Sequence, residues 1–186
     1  MEKRILFLFI LLVSALGLLA GCGFTSAEEH IVENYPLIDA VESQVNSEDR
    51  SLIYQAENRK VEELADELIQ VEEPDQTGKY TEGKQVLIYD DQFIILSEDP
   101  ETPDHSLIEI SDEEFVRDNY RPGFFTGMLL GQFLSNSFGS SWDKNARCRQ
   151  YNNDDCYNGY GSSGGYYGGS SGRGSTFRGG GPGTGK

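Results

Sequence analysis

Two short apolar runs separated by a polar break constrain the fold of this chain more than any other feature. Val86–Tyr89 and Phe93–Leu96 are rich in β-branched and aromatic residues, and the break between them is Asp90-Asp91-Gln92. Runs of this length bounded by turn-forming residues are typical of a β-hairpin. A third run of the same kind, Leu107–Ile110, predicts a further strand.

Two segments before the hairpin have the apolar spacing of a helix. The first begins near Pro36, a residue that is well tolerated in a first helical turn. The second begins after Asn58, the predicted N-cap, and ends before Pro74. The apolar residues on these two helical faces are Leu37, Ile38, Val41 and Val45 in the first, and Val61, Leu64, Ala65, Leu68 and Ile69 in the second.

One more strand and one more helix complete the pattern. Ser51–Ala56 predicts a short strand, and the capping box Ser111–Glu114 predicts a helix that ends near Tyr120. The order of these elements predicts an α+β domain over residues 31–121, a small and mostly antiparallel sheet with helices on one face. A segment of about 90 residues is enough for one modest core.

The N-terminus has the layout of a secretory signal peptide, with a basic start followed by a short uncharged apolar run. Leu19-Ala20-Gly21-Cys22 closes this run and is similar to the bacterial lipobox. We therefore expect a signal peptide over residues 1–21, an acylated Cys22, and a tether over residues 22–30. The alternative is an ordinary secretory signal in which the cysteine is a coincidence. Lipidation would hold the protein at the extracytoplasmic face of the cell membrane.

Charge divides the rest of the chain into two unequal parts. Residues 23–120 contain 27 acidic and 6 basic residues, a net charge of −21, whereas residues 121–186 contain 3 acidic and 7 basic residues. The acidic part argues against a nucleic-acid ligand, because phosphate binding requires clustered lysine and arginine. Such an asymmetry bears on surfaces and partners rather than on the fold.

Residues 122–142 contain no charged side chain, and small residues recur at every fourth position. On a helix this spacing would place them on one face, the arrangement used for close helix packing in membranes. Three alternatives stay open: a helix and a loop packed on the α+β domain with the glycines as helix breakers, a surface for the membrane or for self-association, and a membrane span. The interaction candidates on the small face are Gly123, Gly127, Gly131 and Gly139.

Two cysteines remain after Cys22. Cys148 and Cys156 form an even pair in an oxidising compartment, and Asn152-Asn153 between them favours a turn. We interpret residues 143–158 as a disulfide loop. A metal or redox pair is the alternative, but a zinc site usually needs four ligands.

The C-terminal tail, residues 159–186, contains 13 glycines in 28 residues and no acid, a composition typical of disorder. It ends in GGGPGTGK, which fits the pattern of a nucleotide-binding loop. Such a loop needs a preceding strand and a following helix that holds the phosphate. No strand precedes Gly179 and no helix can follow Lys186, so we predict no nucleotide binding.

Residues that could carry catalysis or bind a metal are few. His30 and His105 are the two histidines, and the sequence Asp104-His105-Ser106 cannot form a relay on a strand because neighbouring side chains point to opposite faces. Two acidic runs, residues 97–104 and 152–155, offer oxygen ligands for calcium but lack the spacing of an EF-hand loop. We therefore predict no catalytic residue, no metal and no cofactor.

The lipobox, the acidic α+β region, the segment SSWDKNARCRQYNNDDCYNGYGSSGG and the terminal RGGGPGTGK together resemble a family of bacterial lipoproteins of unknown function. The segment around Trp142, Cys148 and Cys156 is the most distinctive part. The resemblance implies a cell-envelope lipoprotein and supplies no catalytic residue.

These patterns predict a membrane-tethered extracytoplasmic protein that acts by binding. Its partner would be a membrane protein or a second copy of the chain. The alternative is an envelope enzyme with an unrecognised carboxylate site, which a convergent pocket holding a carboxylate of raised pKa would favour.

Overall fold

The computed structural model describes residues 25–151 and 156–161. Six strands and six α-helices form most of this part of the chain. The strands are β1 (Leu37–Glu42), β2 (Arg50–Ala56), β3 (Gln76–Thr77), β4 (Lys84–Tyr89), β5 (Gln92–Glu98) and β6 (Ser106–Asp112). The helices are α1 (Ala27–Asn34), α2 (Val61–Val71), α3 (Glu113–Asn119), α4 (Gly131–Phe138), α5 (Trp142–Asn145) and α6 (Arg147–Tyr151), and Pro122–Phe125 forms a 3₁₀ turn.

All six strands belong to one antiparallel sheet in the order β1-β2-β6-β5-β4-β3. The predicted hairpin is confirmed, since Leu87 of β4 pairs with Ile94 of β5. On the other side of β5, Ile94 pairs with Ile110 of β6. The predicted α+β class is confirmed as well.

Helices cover both faces of this sheet, so the prediction of helices on one face was wrong. The first face packs against α1 and α2, whose buried residues include Ile31, Leu64 and Leu68. The second face packs against α3, the 3₁₀ turn and α4. The reason lies in the three central strands β4, β5 and β6, which bury apolar side chains on both sides and need two covering layers.

The segment that begins at Leu37 is strand β1, not the predicted helix. Its buried residues are Asp39 and Val41, two positions apart, as expected for a strand. Pairing with β2, for example of Val41 with Ser51, makes this segment a strand rather than a helix. The β-branched residues Ile38 and Val41 fit a strand as well as a helix, and a segment this short is decided by its neighbours in the fold.

Two predicted helix caps are also displaced. Helix α2 begins after Lys60, while Asn58 adopts a left-handed conformation with φ of 53° in the preceding turn. Helix α3 is capped by Asp112, whose carboxylate accepts a hydrogen bond of 2.6 Å from the Phe115 amide. Ser111 cannot be the cap, because it is the sixth residue of β6 and its side chain points into a buried polar cluster.

Helix α1 was not predicted and begins inside the segment interpreted as a tether. Ser26 is its N-cap, and the Ser26 hydroxyl accepts a hydrogen bond of 3.0 Å from the Glu29 amide. The Ala27 amide donates to the Glu72 carboxylate at 2.7 Å, which joins the start of α1 to the end of α2. Only four residues separate Cys22 from this helix.

Both edges of the sheet are protected against the addition of another strand. At the β1 edge, the Asp39 carboxylate accepts the Ala40 amide at 2.8 Å and the Tyr160 hydroxyl at 2.7 Å. At the other edge β3 has only two residues, and beyond it the Lys79 amide donates to the Met128 carbonyl at 2.8 Å. Short edge strands and inward-pointing charges are common ways to prevent edge-to-edge association.

Candidate functional site

The four candidate glycines do not share one helical face. Gly123 lies in the 3₁₀ turn, Gly127 in the loop that follows, Gly131 at the first position of α4, and Gly139 at its C-cap. Gly127 and Gly139 have φ values of 86° and 88°, which a continuous α-helix does not allow. The segment is therefore not one continuous helix, and the interpretation of a helix and a loop, in which the glycines break the helix, is the one that agrees with the structure.

The apolar side chains between these glycines form the second core. Phe124, Phe125, Met128, Leu130 and Leu134 are buried against the sheet and α3. Packing on the domain, one of the three alternatives from the sequence, is thus what the structure shows. Among the described residues no helix is long and apolar enough to cross a membrane.

An aromatic cluster holds this layer together. Phe93 of β5 lies 6.4 Å from Phe125 and 6.1 Å from Phe138, measured between ring centroids. Phe138 contacts Trp142 edge to face at 4.7 Å. The Trp142 indole N–H donates to the Arg117 carbonyl at 2.9 Å, which satisfies the polar group of a buried tryptophan.

The outward side of the same segment is a surface without charge, which we call the neutral surface. It is formed by the exposed residues of 122–142, mainly glycine, serine, asparagine and glutamine. A shallow groove of about 290 Å³ runs along it. The groove is lined by Pro122, Phe125, Thr126, Gly131, Leu134, Ser135, Gly139, Ser140 and Trp142.

Leu129 is the most unusual residue of the neutral surface. Its side chain is 82% exposed and its backbone has φ of 62°, a conformation that is rare for leucine. The two residues that precede Leu129 are held in place by hydrogen bonds. Besides the Lys79–Met128 hydrogen bond, the Thr81 hydroxyl donates to the Gly127 carbonyl at 3.2 Å. Strained, well-supported conformations of this kind cluster at functional sites.

The predicted disulfide is confirmed. Cys148 and Cys156 are bonded, with an S–S distance of 2.07 Å, and both are buried. The bond joins α6 to residues 156–161, which we call the strap. The strap lies across the second core, where Tyr157 forms a parallel bridge with Tyr120.

A buried carboxylate, Glu109, joins the strap to the sheet. Its side chain is 2% exposed, in the middle of β6 between two apolar residues. The Ser51 and Ser111 hydroxyl groups lie 2.8 and 3.3 Å from its Oε1. At Oε2 the Tyr157 hydroxyl donates at 3.0 Å and the Tyr160 amide at 3.4 Å.

Burial raises the pKa of Glu109 above its ordinary value, although these hydrogen bonds act in the opposite direction. Burial also raises the pKa of Tyr120, and the charge of Glu109 adds to this increase. Glu109 lines a cleft of about 280 Å³, which lies between the strap and the strands β4 and β5. At this cleft the Lys84 ammonium lies 4.9 Å from the centre of the Phe124 ring.

A second polar cluster lies on the first face of the sheet, around Glu67 of α2. Its carboxylate accepts hydrogen bonds from His30 at 2.8 Å and from the Tyr35 hydroxyl at 2.7 Å, and it pairs with Arg59. Burial opposes the charge of Glu67, but the three hydrogen bonds outweigh it and lower the pKa to about 2. Sequence did not indicate this cluster, because His30 and Tyr35 lie 37 and 32 residues away from Glu67.

The residues considered for catalysis do not come together. The Ser106 hydroxyl donates to the Arg59 carbonyl at 2.7 Å, and the Nδ1 atom of His105 has no hydrogen-bond partner in the described part of the chain. Within residues 25–151 and 156–161, no three His, Cys, Asp or Glu side chains are placed to hold a metal ion. The acidic run 152–155, the terminal GGGPGTGK and Cys22 lie outside the described residues.

Fold and site together define an α+β protein whose sheet is covered on both faces and whose second layer presents a neutral surface. The chain matches the family described as a domain of unknown function (DUF4247) over residues 15–186, and it belongs to that family. Neither the curated proteins nor the solved structures contain a match.

Proposed function

We propose that this protein is an extracytoplasmic lipoprotein, anchored to the cell membrane through Cys22, that acts by binding a partner. The lipobox-like sequence supports the anchor. The start of α1 at Ala27 supports a domain held close to the membrane, since five residue steps span at most about 18 Å. The N-terminal layer of the fold would then lie near the lipid.

The observation that carries the binding proposal is the neutral surface with its exposed Leu129. Residues 23–120 carry a net charge of −21, yet 21 consecutive residues beside them carry none. Exposed apolar groups on a rigid, uncharged patch are typical of protein contact sites, where charged residues are depleted at the centre. Both sheet edges are protected, which leaves this patch as the favoured surface for a partner.

Cell fractionation tests the anchor. Replacing Cys22 by alanine should move the protein from the membrane fraction to a precursor or to a soluble form, because the acyl chains are lost. Thr25→Ala, an exposed substitution in the same stretch, is the matched control and should stay with the membrane. A Cys22→Ala protein that remains membrane-bound after signal cleavage would refute the anchor.

Photo-crosslinking in intact cells tests the neutral surface. A photoreactive amino acid at Gln132, an exposed residue of α4 beside the groove, should give a protein adduct. The same group at Glu63, an exposed residue of α2 on the opposite layer, is the control and should give none. Adducts of equal yield at both positions, or none at Gln132, would contradict the proposal.

One observation favours the alternative of an enzyme, namely that Glu109 has a raised pKa and lines a cleft. Against this, both of its carboxylate oxygens already accept hydrogen bonds from the chain itself. The two functions can be separated by complementing a deletion phenotype. If the protein is an enzyme, Glu109→Gln should fail to restore the phenotype and Gly131→Leu should restore it. The reverse result supports binding through the groove.

A further inference from the structure

We infer that the partner of the neutral surface is a second copy of this chain, with Leu129 of each copy seated in the groove of the other. The inference rests on the proposed binding function and names its partner. In a two-fold symmetric contact, residue i of one copy contacts residue j of the other, and residue j of the first copy contacts residue i of the second. A projecting side chain and the groove that receives it must therefore lie on the same patch.

The neutral surface contains both parts. Leu129 is an apolar knob that projects from a pinned loop, and two residues later Gly131 begins the helix that lines the groove. No atom lies within 4 Å of the position that a Cβ atom would take at Gly131 or at Gly139, so the rim of the groove is open. The groove of about 290 Å³ exceeds the volume of a leucine side chain.

Electrostatics favour this patch for contact between identical chains. Two copies of a protein with a formal net charge of −16 repel each other over most of their surface. The repulsion is smallest where charges are absent, and the exposed residues of 122–142 carry none. Pairing through the neutral surface keeps the acidic helices α1 and α2 of both copies on the outside of the dimer.

The geometry of the layers argues against the lipid surface as the occupant. The chain continues from Cys22 to α1, which covers the first face of the sheet, whereas Met128 and Leu130, on either side of Leu129, are buried in the core of the second face. Packed layers lie about 10 Å apart, so the layer that contains α1 and the layer that contains Met128 and Leu130 are separated by about 20 Å. This separation favours a second copy of the chain over the lipid surface as the occupant.

Co-expression of two full-length copies with different tags tests the inference, with the photoreactive group at Gln132. An adduct that carries both tags is the expected result. Adducts that contain only other proteins would overturn the second-copy inference and leave the proposed function standing. If Gln132 gives no adduct at all, both fail.

The knob itself is tested by Leu129→Asn. Asparagine accepts a positive φ, so the loop should keep its conformation while the apolar contact is lost. Because two knobs are lost per dimer, the yield of the mixed adduct should fall by about tenfold or more. Val32→Asn is the matched control, since Val32 is 53% exposed on α1, and it should leave the yield unchanged. An unchanged yield in Leu129→Asn would overturn the knob-and-groove contact.

Discussion

The Glu67 cluster allows a quantitative prediction about stability. A carboxyl group whose pKa falls from 4.5 to about 2 on folding stabilises the folded state by about 3 kcal/mol at neutral pH. Glu67 is 28% exposed, so solvent screens its three hydrogen bonds only in part. Glu67→Gln keeps one acceptor oxygen but loses the charge. We expect it to lower the free energy of unfolding by about 2–3 kcal/mol at pH 7.

The pH dependence of this loss has a definite sign. Because the folded pKa of Glu67 is depressed, its contribution is complete above the unfolded value of 4.5 and disappears as the pH falls towards 2. The difference between wild type and Glu67→Gln should therefore be largest at neutral pH. It should shrink steadily below pH 4.5.

Urea unfolding followed by tryptophan fluorescence measures this difference, since Trp142 is the single tryptophan and is buried. Glu63→Gln is the control, an exposed carboxylate in the first turn of the same helix, and its cost should stay below about 1 kcal/mol. A difference for Glu67→Gln that is the same at pH 7 and pH 3, or that grows at low pH, would refute the assignment of the charge to this cluster.

Three further predictions concern the second layer. The folded pKa of Glu109 is raised, so the free energy of unfolding of the wild type should decline as the pH rises from 4.5 through that pKa. Glu109→Gln should remove this decline, as measured by urea titrations at several pH values. Replacing Cys148 and Cys156 by serine should cost about 2–3 kcal/mol, measured by the same unfolding assay with and without reductant, because the disulfide closes a short loop. Gly131→Leu should leave the free energy of unfolding nearly unchanged yet abolish the Gln132 adduct. Gly127→Leu should lower the free energy of unfolding by about 1–3 kcal/mol, because the φ of 86° at this position suits glycine.

The central strands could be predicted from sequence because their apolar runs are short, continuous and bounded by turn residues. The same runs also indicate that both faces of the sheet are covered, which the prediction did not use. Residues 86–89 and 93–96 are apolar at every position rather than at every second one. A strand of this kind has two buried faces and therefore needs cover on both.

Three alternatives stayed open for the second layer because its glycines are spaced as on a helix. Nothing local distinguishes a glycine that faces a helix partner from one that adopts a positive φ, and Gly127 and Gly139 are of the second type. The Glu109 cluster could not be predicted from the sequence for a different reason. Its hydroxyl donors Ser51 and Tyr157 lie 58 and 48 residues away in sequence, so no short pattern marks them as neighbours.

The sharing of one sheet by two cores has a consequence for how the protein is made. Neighbouring residues such as Ile94 and Ile95 belong to opposite layers, so each of the central strands serves both. A chain that ended at residue 121 would possess every strand, but Phe93 on the second face would lack its contacts with the rings of Phe125, Phe133 and Phe138. During synthesis the sheet and its first layer are complete before residues 122–161, which complete the second layer, exist. The second face of the sheet must therefore stay shielded until those residues are available.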